Sequence, residues 1–97
     1  MNYEIIVTKA AKIDIENALD YIDFVLKNPE AAEILLFEIA NNLTRLQQLP
    51  FAYPIIAENW YKSKQIRMFP VKNYLAFYFV DNNNNNIVIL RFLYKKR

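Results

Sequence analysis

The chain has 97 residues, 55% of them apolar, 15% aromatic and 23% charged, with a net charge of +2; this describes one small domain (1–97) with a packed core and excludes a disordered or collagen-like chain. No cysteine is present, which removes disulfides, thiolate nucleophiles and sulfur-ligated zinc, and no histidine, which removes the usual general base. No glycine is present either, so phosphate loops and dinucleotide fingerprints are closed, and neither a cofactor nor a metal is expected.

Tyr3 to Val7 reads as a short opening strand, and Thr8 as the cap of a first helix. An apolar stripe follows at helical spacing through Ala11, Ile15, Ala18, Leu19, Ile22, Val25 and Leu26. Asp14, Glu16, Asp20 and Asp23 scatter around that helix and read as a solvated face. Asn28-Pro29-Glu30 predicts a new start, with Asn as cap, Pro at the first helical position and an acid in the first turn. The second helix continues through Ala32, Leu35, Leu36, Ile39, Leu43 and Leu46, so a helical hairpin is expected. Leu49 to Lys64 reads as an ordered loop anchored by Tyr53, Ile55, Ile56 and Trp60. Strands are expected at Gln65 to Val71, Tyr74 to Val80 and Ile87 to about Tyr94. The asparagines of 82–86 form the loop between the last two, because Asn tolerates left-handed backbone.

The order β-α-α-β-β-β predicts an α+β domain, its helical hairpin on one face of a mostly antiparallel four-stranded sheet. Strand parity assigns Leu75, Phe77, Phe79, Val88, Leu90 and Phe92 to the face under the helices, docked by Leu19, Ile22, Ile39 and Leu43. The other face would then present Arg67, Tyr74, Tyr78 and Arg91. Arginines interleaved with aromatics suit phosphate contacts and base stacking, or else merely solvate an exposed sheet.

Charge is segregated. Residues 1–58 hold four basic side chains against nine acids, a net of −5, whereas residues 59–97 hold eight against Asp81 alone, a net of +7. Such a basic half suits a polyanion or an acidic partner. Its candidate binding residues are Lys64, Arg67, Tyr74, Tyr78, Arg91, Lys95, Lys96 and Arg97. Tyr, Lys and Arg are poor bases at neutral pH, but they can hold a phosphodiester and protonate a leaving oxygen. RNA supplies its own 2′-hydroxyl nucleophile, which makes its cleavage the phosphoryl chemistry least dependent on histidine or metal. There is no basic leader, and the longest apolar run, Tyr74 to Val80, is too short to cross a bilayer, so a cytoplasmic location away from membranes is expected.

Four patterns occur in order: Asn28-Pro29-x-Ala31-Ala32, Leu46-x-x-x-Pro50-x-x-Tyr53-Pro54, Arg67 ahead of Asn73-Tyr74-Leu75-x-Phe77-Tyr78, and Arg91-x-Leu93-Tyr94-x-x-Arg97. Together they resemble the RelE/ParE superfamily of bacterial type II toxins over nearly the whole chain. The resemblance implies a growth-arresting toxin neutralised by a cognate antitoxin carrying an acidic or amphipathic segment. RelE-like members cleave messenger RNA on the ribosome, and ParE-like members poison DNA gyrase. In an RNase, Arg67, Arg91 and Tyr94 would be the catalytic residues. The RNA-cleaving branch usually has an arginine where Tyr74 stands, and some members have a histidine where Leu93 stands. These departures weaken the RNase reading, and the two fairly long helices with the Asn73-Tyr74-Leu75-x-Phe77-Tyr78 strand look more ParE-like. A remnant that only binds its antitoxin is the third reading.

Overall fold

The computed structural model describes residues 3–95, and the backbone alone of residues 59–61. Strand β1 (Glu4–Val7) leads into helix α1 (Lys9–Asp20), where the Thr8 side chain accepts the Ala11 N–H at 3.2 Å as expected of an N-cap. The helix continues as a π-helical turn over Tyr21–Val25, closed by Leu26 N–H on the Tyr21 carbonyl at 3.0 Å. Lys27 is left-handed (φ 53°), and Asn28 and Pro29 then open α2 (Pro29–Gln48), as the sequence predicts. Asn28 Oδ1 accepts the Ala31 N–H at 3.1 Å.

Five strands are present where four are expected. The segment read as a loop contains β2 (Ile55–Tyr61), which pairs antiparallel with β3 (Lys64–Val71) through two register shifts. Its irregular pairing at a sheet edge, close behind Pro50 and Pro54, hides the alternation that marks a strand. Trp60, an expected anchor, lies outside the described side chains. Strands β4 (Tyr74–Asp81) and β5 (Asn86–Tyr94) complete the sheet in the order β1-β5-β4-β3-β2, with only β1 and β5 parallel. Without glycine, the turns use left-handed Lys62, Ser63, Lys72 and Asn85, the last within the asparagine tract as expected. Among the described residues no helix is long and apolar enough to cross a membrane.

Except at Phe92, the sheet faces are the reverse of the parity reading. Phe69, Val71, Tyr74, Ala76, Tyr78, Ile87, Ile89 and Phe92 pack under the hairpin with Ala11, Ala18, Leu35, Ile39 and Leu46. Leu19, Ile22 and Leu43 border that core as expected. Ile66, Phe79 and Leu90 instead form a second small cluster, joined by Ala57, Phe77 and Val88. Both faces of β4 are apolar, so alternation alone does not choose between them. Two details decide it: Ala76 is small enough for close helix approach, and the buried Tyr78 hydroxyl finds a partner, donating to the Pro50 carbonyl at 2.9 Å. In β5 the register shifts between the pairs Phe77–Arg91 and Tyr78–Ile89, so the bulge at Leu90 returns Phe92 to the helical side.

Burial pushes the Tyr78 hydroxyl up to about 12. Tyr78→Phe is expected to lose about 1–2 kcal/mol of stability, because the Pro50 carbonyl keeps no donor there. The raised value makes the wild-type advantage complete below the unfolded tyrosine value near pH 10 and lost as pH rises towards 12. Denaturant titrations of both proteins at pH 8 and pH 11.5 measure the difference.

Candidate functional site: a basic corner and an aromatic groove

Two regions of the basic half carry the chemistry-bearing side chains, and they stand apart. At the first, Arg67 lies on the helix-side face of β3, where the loop after α2 crosses it. Its guanidinium sits 5.2 Å over the Phe51 ring and donates to the Tyr53 carbonyl. A polar basin of about 310 Å³ opens beside it, lined by Phe51, Glu58, Ser63, Lys64, Arg67 and Asn82 among others. Lys64 Nζ stands 5.4 Å over the Phe79 ring. Arginine planes against aromatic faces are held by cation–π attraction, so this corner is pre-shaped rather than loose.

The second region is an open groove of about 740 Å³ between the hairpin turn and the far ends of β4 and β5, lined by Ala18, Tyr21, Leu26, Tyr74, Phe92 and Tyr94 among others. Tyr74 stacks on Phe92 at 4.9 Å and meets Tyr94 edge-on at 5.4 Å. Burial raises the Tyr74 hydroxyl above its ordinary value, and the neighbouring Tyr94 and Tyr21 act in the same direction.

Beside the groove, Arg91 is clamped by Asp14 of α1: Nε donates to Oδ2 at 2.6 Å and Nη2 to Oδ1 at 3.0 Å. Asp14 Oδ2 also accepts the Phe92 N–H at 3.0 Å. The reason is an edge problem. Strand β1 pairs with β5 only as far as Ile89, and beyond it the β5 backbone needs other partners. Thr8 meets this need with its N–H on the Ile89 carbonyl (3.1 Å) and its hydroxyl on the Leu90 carbonyl (3.1 Å), and Asp14 serves Phe92. The hydrogen bond from Arg91 holds the Asp14 carboxyl below its ordinary value, although partial burial opposes this. The same bond raises Arg91. Asp14 is thus no member of a solvated face. Its signal was available: positions 11, 14 and 18 share one side of α1, so Asp14 interrupts the stripe between Ala11 and Ala18.

The expected site residues are therefore divided. Tyr78 is 0% exposed and Tyr74 is buried under the hairpin, so the expected outward display of both tyrosines is corrected. Arg91 sits at the bulge in contact with α1, not beside Arg67. Arg67 pairs with Tyr78, whereas Tyr94 pairs with Tyr74 four residues along β4. At strand spacings that separates Arg67 from Tyr94 by roughly 13 Å along the strands and roughly 10 Å across them. Lys64 lies by Arg67, and exposed Lys95 follows Tyr94, its N–H donating to the Asn73 carbonyl at 2.7 Å. Lys96 and Arg97 lie outside the described residues.

The comparisons with known proteins agree with this architecture. The chromosomal ParDE toxin-antitoxin system of P. aeruginosa contains a chain of the same fold, at TM-score 0.75 and 22% identity over 97% of both chains. The archaeal RelE–RelB complex from Pyrococcus horikoshii gives TM-score 0.69 and 16% identity, over 100% of this chain and 99% of that one. The toxin-antitoxin complex RelBE2 of Mycobacterium tuberculosis gives 0.65 and 18%, over 98% and 100%. No curated protein sequence matches the chain. The family model for the ParE toxin of the type II toxin-antitoxin system parDE matches residues 5–97, and with that span the chain belongs to the ParE toxin family, within the RelE/ParE superfamily.

Proposed function

We propose that this toxin arrests growth by ParE-like inhibition of DNA gyrase, acting in the cytoplasm and held in check by a cognate antitoxin. One observation carries the choice over RNA cleavage: the three side chains suited to phosphodiester chemistry do not converge. Arg91 is committed to Asp14, Arg67 to the Tyr53 carbonyl and the Phe51 ring, and Tyr94 lies at the other end of the sheet. A cleavage centre needs its donors within hydrogen-bond reach of one phosphate. Blocking a protein target needs only a surface.

An antitoxin partner is supported by the kinship with toxin-antitoxin complexes and by the charge of the chain. A basic half left uncovered would bind nucleic acid indiscriminately. The antitoxin is therefore expected to lay an acidic or amphipathic segment over part of residues 59–97, near Lys64 and Lys95. A complex with the antitoxin confined to the acidic faces of residues 10–27 contradicts that.

The deciding assay runs the purified toxin against gyrase with relaxed plasmid, and separately against translating ribosomes with messenger. Blocked supercoiling or trapped, cleaved plasmid with intact messenger is expected; codon-phased messenger cuts with normal supercoiling overturn the proposal. Tyr94→Phe should remain toxic, since it keeps the ring and loses only a proton donor. In an RNase that depended on this hydroxyl, the rate would fall by roughly 10²–10³.

A further inference from the structure

The turn end of the α-hairpin leaves large apolar side chains uncovered. Phe24 and Val25 on the π-helical turn, and Ile34 and Phe37 on α2, are each more than half exposed. A single exposed apolar side chain is ordinary, but four at one end of a small hairpin mark a contact surface. Ile34 and Phe37 are three residues apart, so they share a side of α2 away from the Leu35–Ile39–Leu46 face that packs on the sheet. The π-helical turn that carries exposed Phe24 and Val25 packs against α2, and such turns gather at functional sites. This stretch also has the opposite charge from the sheet: between Glu16 and Glu38 stand six acids against Lys27 alone. Glu16, Asp20, Glu30 and Glu33 are all exposed.

We propose that the hairpin tip docks a protein segment that is amphipathic and basic, its apolar side covering Phe24, Val25, Ile34 and Phe37 while its lysines or arginines meet the surrounding acids. Charge selects this occupant. A second copy presenting the same face would set acids against acids, and like charges across an interface oppose association. Nucleic acid would be repelled by the same acids. A helix with apolar anchors at helical spacing and a basic margin satisfies both features. The inference is independent of the gyrase reading, which uses none of these residues.

The full chain can be titrated with two synthetic helices of about 18 residues, long enough to be marginally helical alone, one built of Leu and Lys and the other of Leu and Glu. Fluorescence anisotropy is expected to show the Leu/Lys peptide binding at least about tenfold more tightly, with the preference shrinking as salt rises. Phe24→Ser with Phe37→Ser should weaken that binding about tenfold or more while the melting temperature stays near wild type, because both positions are exposed. Asp20→Lys with Glu33→Lys should shift the preference to the Leu/Glu peptide. Equal binding of both peptides, binding of neither, or unchanged binding by the double serine variant overturns the proposal. So does a dimer in sedimentation equilibrium that the double serine variant abolishes, since the occupant would then be a second copy.

Discussion

Ile39→Ala is expected to lower the stability of the domain by about 2–4 kcal/mol and its melting temperature by roughly 10–30 °C. Ile39 is 7% exposed and lies in the core with Phe69, Val71, Ala76, Ile89 and Phe92, at the point where α2 presses on the sheet. Truncation removes three heavy atoms from a site closed on one side by a twenty-residue helix and on the other by paired strands, so little collapse can fill the gap. A domain of this length has about 5–15 kcal/mol in total, so the loss is a large fraction and toxicity should disappear with the fold. Leu36→Ala on the same helix is the control. Leu36 is exposed and should stay within about 0.5 kcal/mol of wild type. Thermal melts of the two variants measure the contrast, and an Ile39→Ala protein that melts like its parent contradicts the assignment of this face.

Local signals in the sequence carried most of the fold. Thr8 and Asn28 cap the helices they were expected to cap, and the i, i+4 recurrence of Leu35 and Ile39 identifies the buried side of α2. What failed was the choice of sheet face, because Tyr74-Ala76-Tyr78 and Leu75-Phe77-Phe79 are both apolar enough to be core. That choice rests on long-range facts: the Tyr78 hydroxyl reaches the Pro50 carbonyl, and Tyr74 stacks on Phe92 only after the bulge at Leu90. Strand β2 escaped for a related reason, since bulged edge pairing erases the period of two. The basic character of the site half was legible from charge alone. Its division into an Arg67 corner and a groove around Tyr74 and Tyr94 was not, because register across three strands sets those separations.

Asp14→Ala is expected to destabilise the protein by about 2 kcal/mol, roughly 8–16 °C in melting temperature, and more than Arg91→Ala does. The asymmetry follows from what each truncation strands. The Asp14 side chain is 11% exposed and Arg91 is 47% exposed. Loss of Arg91 leaves a carboxylate that still accepts the Phe92 N–H and can recruit water, as at most exposed ion pairs. Loss of Asp14 leaves that part-buried N–H without an acceptor at the point where β5 has run past β1, and α1 loses a tie to the strand beneath it. Because the Arg91 hydrogen bond lowers the Asp14 carboxyl, the folded chain binds this proton less readily than the unfolded chain does. The contribution is therefore complete above the unfolded carboxylate value near pH 4 and is lost as pH falls through the lower folded value. Urea titrations of wild type, Asp14→Ala, Arg91→Ala and the double variant at pH 7 give the coupling between the two side chains. Arg91→Ala proving the costlier of the two would show that Arg91, not the Phe92 N–H, is the group Asp14 chiefly serves. If instead Arg91→Ala abolished toxicity while melting close to wild type, Arg91 would have to leave Asp14 to act, and the clamp would be a resting state rather than a permanent tie.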